Sequence, residues 1–249
     1  MKKITLIGSG NLGTQLGISL AKNGYKIVQV FSKSIENATI LANKLNSKPI
    51  DNLNQLENTD LAIISVNDDI VSELSLLINF PQVHTSGMVS MNKLNKKYSV
   101  GVFYPLQTFS KNKKVEFDQI PICIESDDNE FLKKIEKLAY SLSRKVYVMD
   151  ENKRSKLHLS AVISCNFSNL MYQFANEICK ENDIPFEVLH NLIEETSLKI
   201  QNISPKNAQT GPAKRLDKIT IDKHLTILKE NQELKEIYNS LSNSIIKRK

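Results

Sequence analysis

The stretch Ile4-Thr5-Leu6-Ile7-Gly8-Ser9-Gly10-Asn11-Leu12-Gly13 decides how the rest of this chain is read. A short apolar run predicts a buried strand, and Leu12, Leu16 and Leu20 then recur on one helical face. Between them stands G-x-G-x-x-G, in the strand-before, helix-after setting that gives the pattern its meaning. Gly8 permits a tight turn, Gly10 lets backbone approach a diphosphate, and Gly13 lets the helix sit close to the strand. Unpaired amides at the positive end of a helix suit an anion. Gly8, Ser9, Gly10, Asn11, Leu12 and Gly13 are therefore the candidate cofactor cradle. The same turn also serves FAD or S-adenosylmethionine, or holds no ligand at all.

Outward from this turn, apolar runs alternate with helical patterns. The helix after Gly10 ends at Asn23-Gly24. Strands are predicted over Lys26 to Phe31, Leu61 to Val66, around Val83-His84, and over Val100 to Phe103, Ile120 to Ile124 and Val146 to Met149. Helices are predicted over Ile35 to Leu45, Asp68 to Leu77 and Asn129 to Leu142. From Glu151 onward strand-like runs vanish. Helical stretches cover about 152–181, 186–202 and 229–247, with a loop-rich stretch from Ser204 to Asp222. The fold class is α/β: a doubly wound Rossmann domain over 1–150, followed by an all-α domain over 151–249.

The 249 residues are 41% hydrophobic and 24% charged, as expected of a globular chain with a substantial core. A net charge of +6 raises nucleic-acid binding as a possibility. Only four of the 33 basic residues are arginines (Arg144, Arg154, Arg215 and Arg248), and the lysines are dispersed without aromatic interleaving. No nucleic-acid partner is expected. Cys123, Cys165 and Cys179 are odd in number and lack C-x-x-C spacing, which points to reduced thiols. The apolar run after Met1-Lys2-Lys3 is too short for a signal peptide or a membrane span. A cytoplasmic location with no membrane partner is the expectation. No metal site is expected, since no H-E-x-x-H or Cys/His cluster occurs.

An acid near the end of the second strand would grip the ribose hydroxyls of NAD. Here that position reads Phe31-Ser32-Lys33-Ser34. Ser32, Lys33 and Ser34 offer two hydroxyls and an ammonium, which favour the 2′-phosphate of NADP by about ten- to a hundredfold. NADP is the expected cofactor. Glu36 lies just beyond, and the bland alternative makes Lys33 a solvated loop lysine.

With these motifs in view, the N-terminal half resembles the NADP-binding domains of pyrroline-5-carboxylate reductases and of 6-phosphogluconate and β-hydroxyacid dehydrogenases. The whole chain is similar to a narrower group of bacterial Rossmann-like proteins described as candidate NADP oxidoreductases. Their C-terminal domain has no assigned function. Ser65-Val66-Asn67-Asp68-Asp69, His84-Thr85-Ser86-Gly87, Tyr104-Pro105-Leu106-Gln107-Thr108-Phe109 and the run TGPAKRLDKITIDKHL from Thr210 to Leu225 carry that likeness. Two departures stand out. That group has His where this chain has Tyr104, and Arg-Gly-Asp where this chain has Arg215-Leu216-Asp217. The resemblance implies dimerisation through the helical domain, so a homodimer is expected.

In doubly wound folds ligands lie at the carboxyl ends of the strands. Val66, Asn67, Ser86 and Gly87 are therefore candidate cofactor contacts, and Pro105, Gln107 and Thr108 candidate substrate contacts; each set is alternatively an ordinary loop. β-Hydroxyacid dehydrogenases place a lysine four residues before a helix asparagine. If Asn166 is that asparagine, Val162 occupies the lysine position, so that reaction is not assigned. His158 is the candidate replacement, with Asn166, because histidine titrates near neutrality. The pair stand eight residues apart, about 80° around an ideal helix. The alternative for His158 is a buried structural histidine. Thr210, Gly211, Arg215 and His224 are candidate substrate residues, with Arg215 gripping an anion or pairing with Asp217. Together these readings imply an NADP-dependent oxidoreductase of a small, anionic carbonyl or imine, bound in a cleft between the two domains. The alternative is a non-catalytic NADP-binding sensor or scaffold.

Overall fold

The computed structural model describes residues 1–248, which form two compact units dividing at Val162 and Ile163. The first holds one eight-stranded sheet: β1 (Lys3–Ile7), β2 (Lys26–Phe31), β3 (Lys48–Ile50), β4 (Leu61–Ile64), β5 (Gln82–His84), β6 (Val100–Pro105), β7 (Ile122–Glu125) and β8 (Val146–Val148). Their order is 3-2-1-4-5-6-7-8. The chain reverses direction across the sheet between β1 and β4, the switch point at which doubly wound folds bind ligands.

Five helices belong to this unit: α1 (Asn11–Lys22), α2 (Ile35–Leu45), α3 (Val71–Leu76), α4 (Asn129–Tyr140) and α5 (Glu151–Ala161). Leu16, Leu20, Leu41, Leu45, Phe131, Ile135 and Leu138 from α1, α2 and α4 join Ile4, Leu6 and Val30 in one core cluster. Val71 and Leu74 of α3 and Leu157 of α5 pack with Ile7, Ile64, Val102, Tyr104 and Cys123 in a second. Both sheet faces are thus covered, which is why its central strands are buried and mostly apolar.

Three features of this unit depart from the expected pattern. β3 is short, with a proline at its centre, and carries little signal; it sits at the sheet edge, where a missing amide is tolerated. The strand expected to reach Val66 stops at Ile64. The largest departure is that β7 runs antiparallel to β6, pairing Tyr104 with Cys123 and Val102 with Glu125. β8 follows β7 in parallel, so α5 starts from the opposite edge of the sheet and packs against it. The boundary expected at 150 differs from the division at 162 for that reason: the first helix of the helical region adds to the sheet's own core.

In the second unit α6 (Ser168–Glu181), α7 (His190–Asn202), α8 (Pro205–Ala208), α9 (Pro212–Arg215), α10 (Lys218–Ile227) and α11 (Gln232–Lys247) follow one another. The stretch from Ser204 to Asp222, expected to be loop-rich, is a run of short helices. Ser204 and Asp217 cap α8 and α10, and Pro205 and Pro212 stand at first-turn positions. The expected helix over 152–181 is likewise interrupted by a π turn over Val162–Phe167. Counting at 100° per residue therefore fails between His158 and Asn166, and the predicted shared face is not supported. Phe174, Leu228 and Leu234 form the small core of this unit.

Candidate active site

The sequence motif meets its geometric demands at the switch point. Gly8 adopts φ +117°, and a Cβ there would lie 2.2 Å from the carbonyl oxygen of Ser65 at the end of β4. A Cβ on Gly13 would come within 2.5 Å of the oxygen of Gly8, so no side chain fits between helix and strand. Gly10 differs, with open space where its Cβ would stand. Gly10 caps α1 with no side-chain hydrogen bond to the helix amides. Asn11, Leu12 and Gly13 head that helix, and the first amides of a helix have no intrahelical acceptor. Open space at Gly10 and free amides at the helix start are what a diphosphate would need here. Ser9 is buried, its carbonyl accepting from the Thr14 hydroxyl at 3.3 Å, and so shapes the turn through its backbone.

At the end of β2, Ser32 is partly exposed and Lys33 exposed. Ser34 has a different occupation from the one expected. Its hydroxyl accepts from the amide of Asn37 as the N-cap of α2 and donates to Glu36 at 2.6 Å. That hydrogen bond holds the Glu36 carboxyl below its usual range.

Val66, Asn67, Ser86, Gly87 and Pro105 lie at or just beyond the carboxyl ends of β4, β5 and β6, as expected. The hydroxyls of Ser65 and Thr85 meet at 3.1 Å and tie the first two of these loops together. Ser86 accepts from the amides of Met88 and Val89, both at 3.0 Å. Gln107 and Thr108 are exposed and bond to each other.

Gly87 carries the main surprise. A Cβ there would approach Nδ1 of His158 to 2.6 Å, so the glycine is the seat of that ring. Nδ1 of His158 lies 2.9 Å from the hydroxyl of Tyr104, and the two rings meet edge to face. Burial pushes the Tyr104 phenol up to about 12, so it keeps its proton at neutral pH. The residue whose departure from the group pattern cast doubt on this position is thus the partner of the predicted histidine.

Below this pair runs a buried polar row that sequence reading missed. Arg154, one turn before His158 on α5, is fully buried. It forms an ion pair with Glu125 at the end of β7 and donates to the carbonyl of Val89 at 2.6 Å. His84 is also buried, and its Nδ1 accepts from the amide of Ser86 at 3.2 Å. Burial, and then the nearby Arg154 charge, push the His84 pKa down to about 3. A lone arginine one helical turn before the chosen histidine was the available signal.

The other expected residues belong to the second unit. Asn166 is exposed in the π turn. Thr210 and Arg215 are exposed and flank Gly211, which adopts φ +103°. His224 pairs through Nδ1 with the Tyr238 hydroxyl at 2.8 Å. Leu216 takes φ +64°, a left-handed conformation that glycine would adopt more cheaply, at a local cost of about 1–2 kcal/mol. No group of three metal-ligating side chains occurs among the described residues, and none of their helices is long and apolar enough to cross a membrane.

A family described as NADP oxidoreductase, coenzyme F420-dependent, matches residues 3–102. A second, described only as a domain of unknown function (DUF2520), matches residues 120–245. The structure of BF3122 from Bacteroides fragilis, described as a candidate NADP oxidoreductase, is 39% identical, with a TM-score of 0.94 over 99% of this chain and 98% of that one. A pyrroline-5-carboxylate reductase from Streptococcus pyogenes shares the fold at 16% identity and TM-score 0.64, over 99% and 97% of the two chains. Glutamyl-tRNA reductase of Sulfolobus acidocaldarius is 30% identical over 76 residues, 30% of this chain and only 18% of that protein.

Proposed function

The chain belongs to the DUF2520 family, joined to an N-terminal NADP oxidoreductase domain, and from that premise we propose an NADP-dependent oxidoreductase acting on a small, anionic imine or carbonyl compound. The observation that carries the reading is the Tyr104–His158 hydrogen bond, seated on Gly87 at the carboxyl edge of the sheet. Gly8, Ser9, Gly10, Asn11, Leu12 and Gly13 would hold the diphosphate, Ser32 and Lys33 the ribose phosphate, and Val66, Asn67, Ser86 and Gly87 the remainder of the dinucleotide. When bound, that cofactor supplies or accepts a hydride.

The protein's part is the proton. Tyr104, nearly buried and protonated, satisfies its hydroxyl by donating to Nδ1 of His158. With Nδ1 taken by the Tyr104 hydroxyl, Nε2 of His158 is the nitrogen left to exchange a proton with a substrate nitrogen or oxygen. Pro105, Gln107 and Thr108 are proposed to line the substrate, and Thr210, Gly211, Arg215 and His224 to bind its anionic group. Asn166 is retained only as a polar contact. A homodimer in the cytoplasm completes the proposal.

The test is NADPH oxidation against a panel of small imines and oxo acids, with NADPH affinity measured separately. Loss of a general acid costs about 10²–10⁴-fold in rate. His158→Ala should reduce kcat on that scale while leaving the NADPH dissociation constant within about twofold, since its ring touches none of the phosphate cradle. Tyr104→Phe should lower kcat by a smaller factor. Undiminished turnover in His158→Ala would remove the histidine from the reaction.

A further inference from the structure

Resting on the reading of His158 as proton donor, we propose that Arg154 is a positioning residue: pinned between Glu125 and the carbonyl of Val89, it fixes the rotation of α5 that brings His158 onto Tyr104.

Arg154 and His158 are four residues apart on α5, so they share a face one turn apart. The two turns meet the sheet at successive levels. Arg154 reaches Glu125, which pairs with Val102 of β6; His158 reaches Tyr104, two residues farther along that strand. The guanidinium also holds the loop on which the imidazole rests. Its second arm donates to the Val89 carbonyl, and the Val89 amide in turn donates to the Ser86 hydroxyl. Between those residues stands Gly87, against which the His158 ring lies without room for a methyl group. One side chain thus joins the helix carrying the histidine, the strand pair carrying the tyrosine and the loop between them.

Energetics favour geometry over stability as the reason for this arrangement. A fully buried arginine is costly to desolvate, and a buried ion pair often stabilises no more than apolar side chains of the same volume. Its fork, however, fixes direction in a way that neither lysine nor an apolar residue does. The neutral state of His84 agrees with a cation placed close by, and it leaves Nδ1 of that ring free to accept from the Ser86 amide.

The experiment reads His158 directly, in the full chain without cofactor or substrate. Nitrogen-15 spectra of labelled histidine side chains report tautomer and hydrogen bonding at each ring nitrogen, and the His158 signals are identified by their loss in His158→Gln. The wild type should show Nε2 protonated and Nδ1 accepting. Arg154→Met should shift His158 toward the averaged tautomers of a free imidazole, while Arg154→Lys should restore part of the wild-type signal. Ile135→Val, a core substitution in α4, should lower the melting temperature and leave His158 unmoved. If Arg154→Met does not fold, Arg154→Lys and Glu125→Gln decide the matter. Unaltered His158 signals in every folded variant would overturn the proposal. In turnover, Arg154→Lys should lower kcat about tenfold or more with little change in the KM for NADPH, as expected of a small displacement of a reacting group. A wild type without turnover would sink the enzymatic reading, yet the spectra would still test the strap.

Discussion

At Ser34 one hydroxyl answers two demands. It caps α2 and it holds Glu36, so a carboxylate stands beside the corner where Lys33 is proposed to meet a 2′-phosphate. Lys33→Glu should abolish most of an NADPH-over-NADH preference of about tenfold or more, since a hydrogen bond to a charged group is at stake. Glu36→Gln should tighten NADPH about two- to fivefold, the scale of an exposed charge pair, and leave NADH unaffected. Calorimetric titration of both nucleotides checks each; equal affinities in the wild type would refute the assignment of this corner. His84 offers a second residue-scale test. A histidine in the unfolded chain titrates near 6.5, whereas burial and Arg154 hold the native one at about 3. Below pH 6.5 the unfolded chain takes up a proton that the native ring refuses, so stability falls as pH drops from that value toward 3. The slope approaches about 1.4 kcal/mol per pH unit. Tyr104, near 12, and Cys123, near 11, keep their protons over this interval. Denaturation at about pH 7 and about pH 5 should show the decline, and His84→Asn, whose side-chain oxygen accepts from the Ser86 amide, should flatten it. An unchanged slope would assign the effect to other groups.

Elements were legible in the sequence to the degree that their signals are local. α1, α2 and β2 have their bounding residues (Gly10, Gly24, Ser34 and Asn46) and apolar spacing within a short stretch, and they form as expected. The antiparallel turn of β7 had no such signal, because a short apolar run reads alike in either direction. That reversal nevertheless determines the site. It sends α5 back along the sheet and places Arg154 and His158 against β6 and β7. The glycines of the cradle were likewise readable, each constrained by backbone packing close by. The pairings of Tyr104, Glu125 and Arg154 were not, since what defines them is contact between segments 20 to 70 residues apart, such as Val89 with Arg154. In α9 the expectation failed in another way: Pro212 reads as a turn, and it is also well suited to the first turn of a helix.

For the molecule as a whole, the second unit raises a question of burial. Its own core contains few apolar side chains, while Ile163, Phe167, Leu170, Leu192, Leu198 and Ile200 are exposed. α7 is the extreme case: thirteen residues long, amphipathic in sequence, with no buried residue. Leu192 is 63% and Ile200 50% exposed, eight residues apart and about 80° around the helix from each other. An apolar helix face left in water is unfavourable by about 25 cal/mol for each Å², and contiguous exposed apolar surface marks an interface. A second copy of the chain is the proposed occupant, because a symmetric partner presents the same apolar face and each copy then covers the other's. Light scattering on the purified protein should give twice the chain mass of 28.2 kDa. Leu192→Glu combined with Ile200→Glu should return it to one chain mass, since burying two unpaired carboxylates costs more than the interface gains. The sheet unit, which keeps both faces covered by its own helices, should retain NADPH binding in that variant. A monomeric wild type would refute the assignment of α7 to a dimer interface.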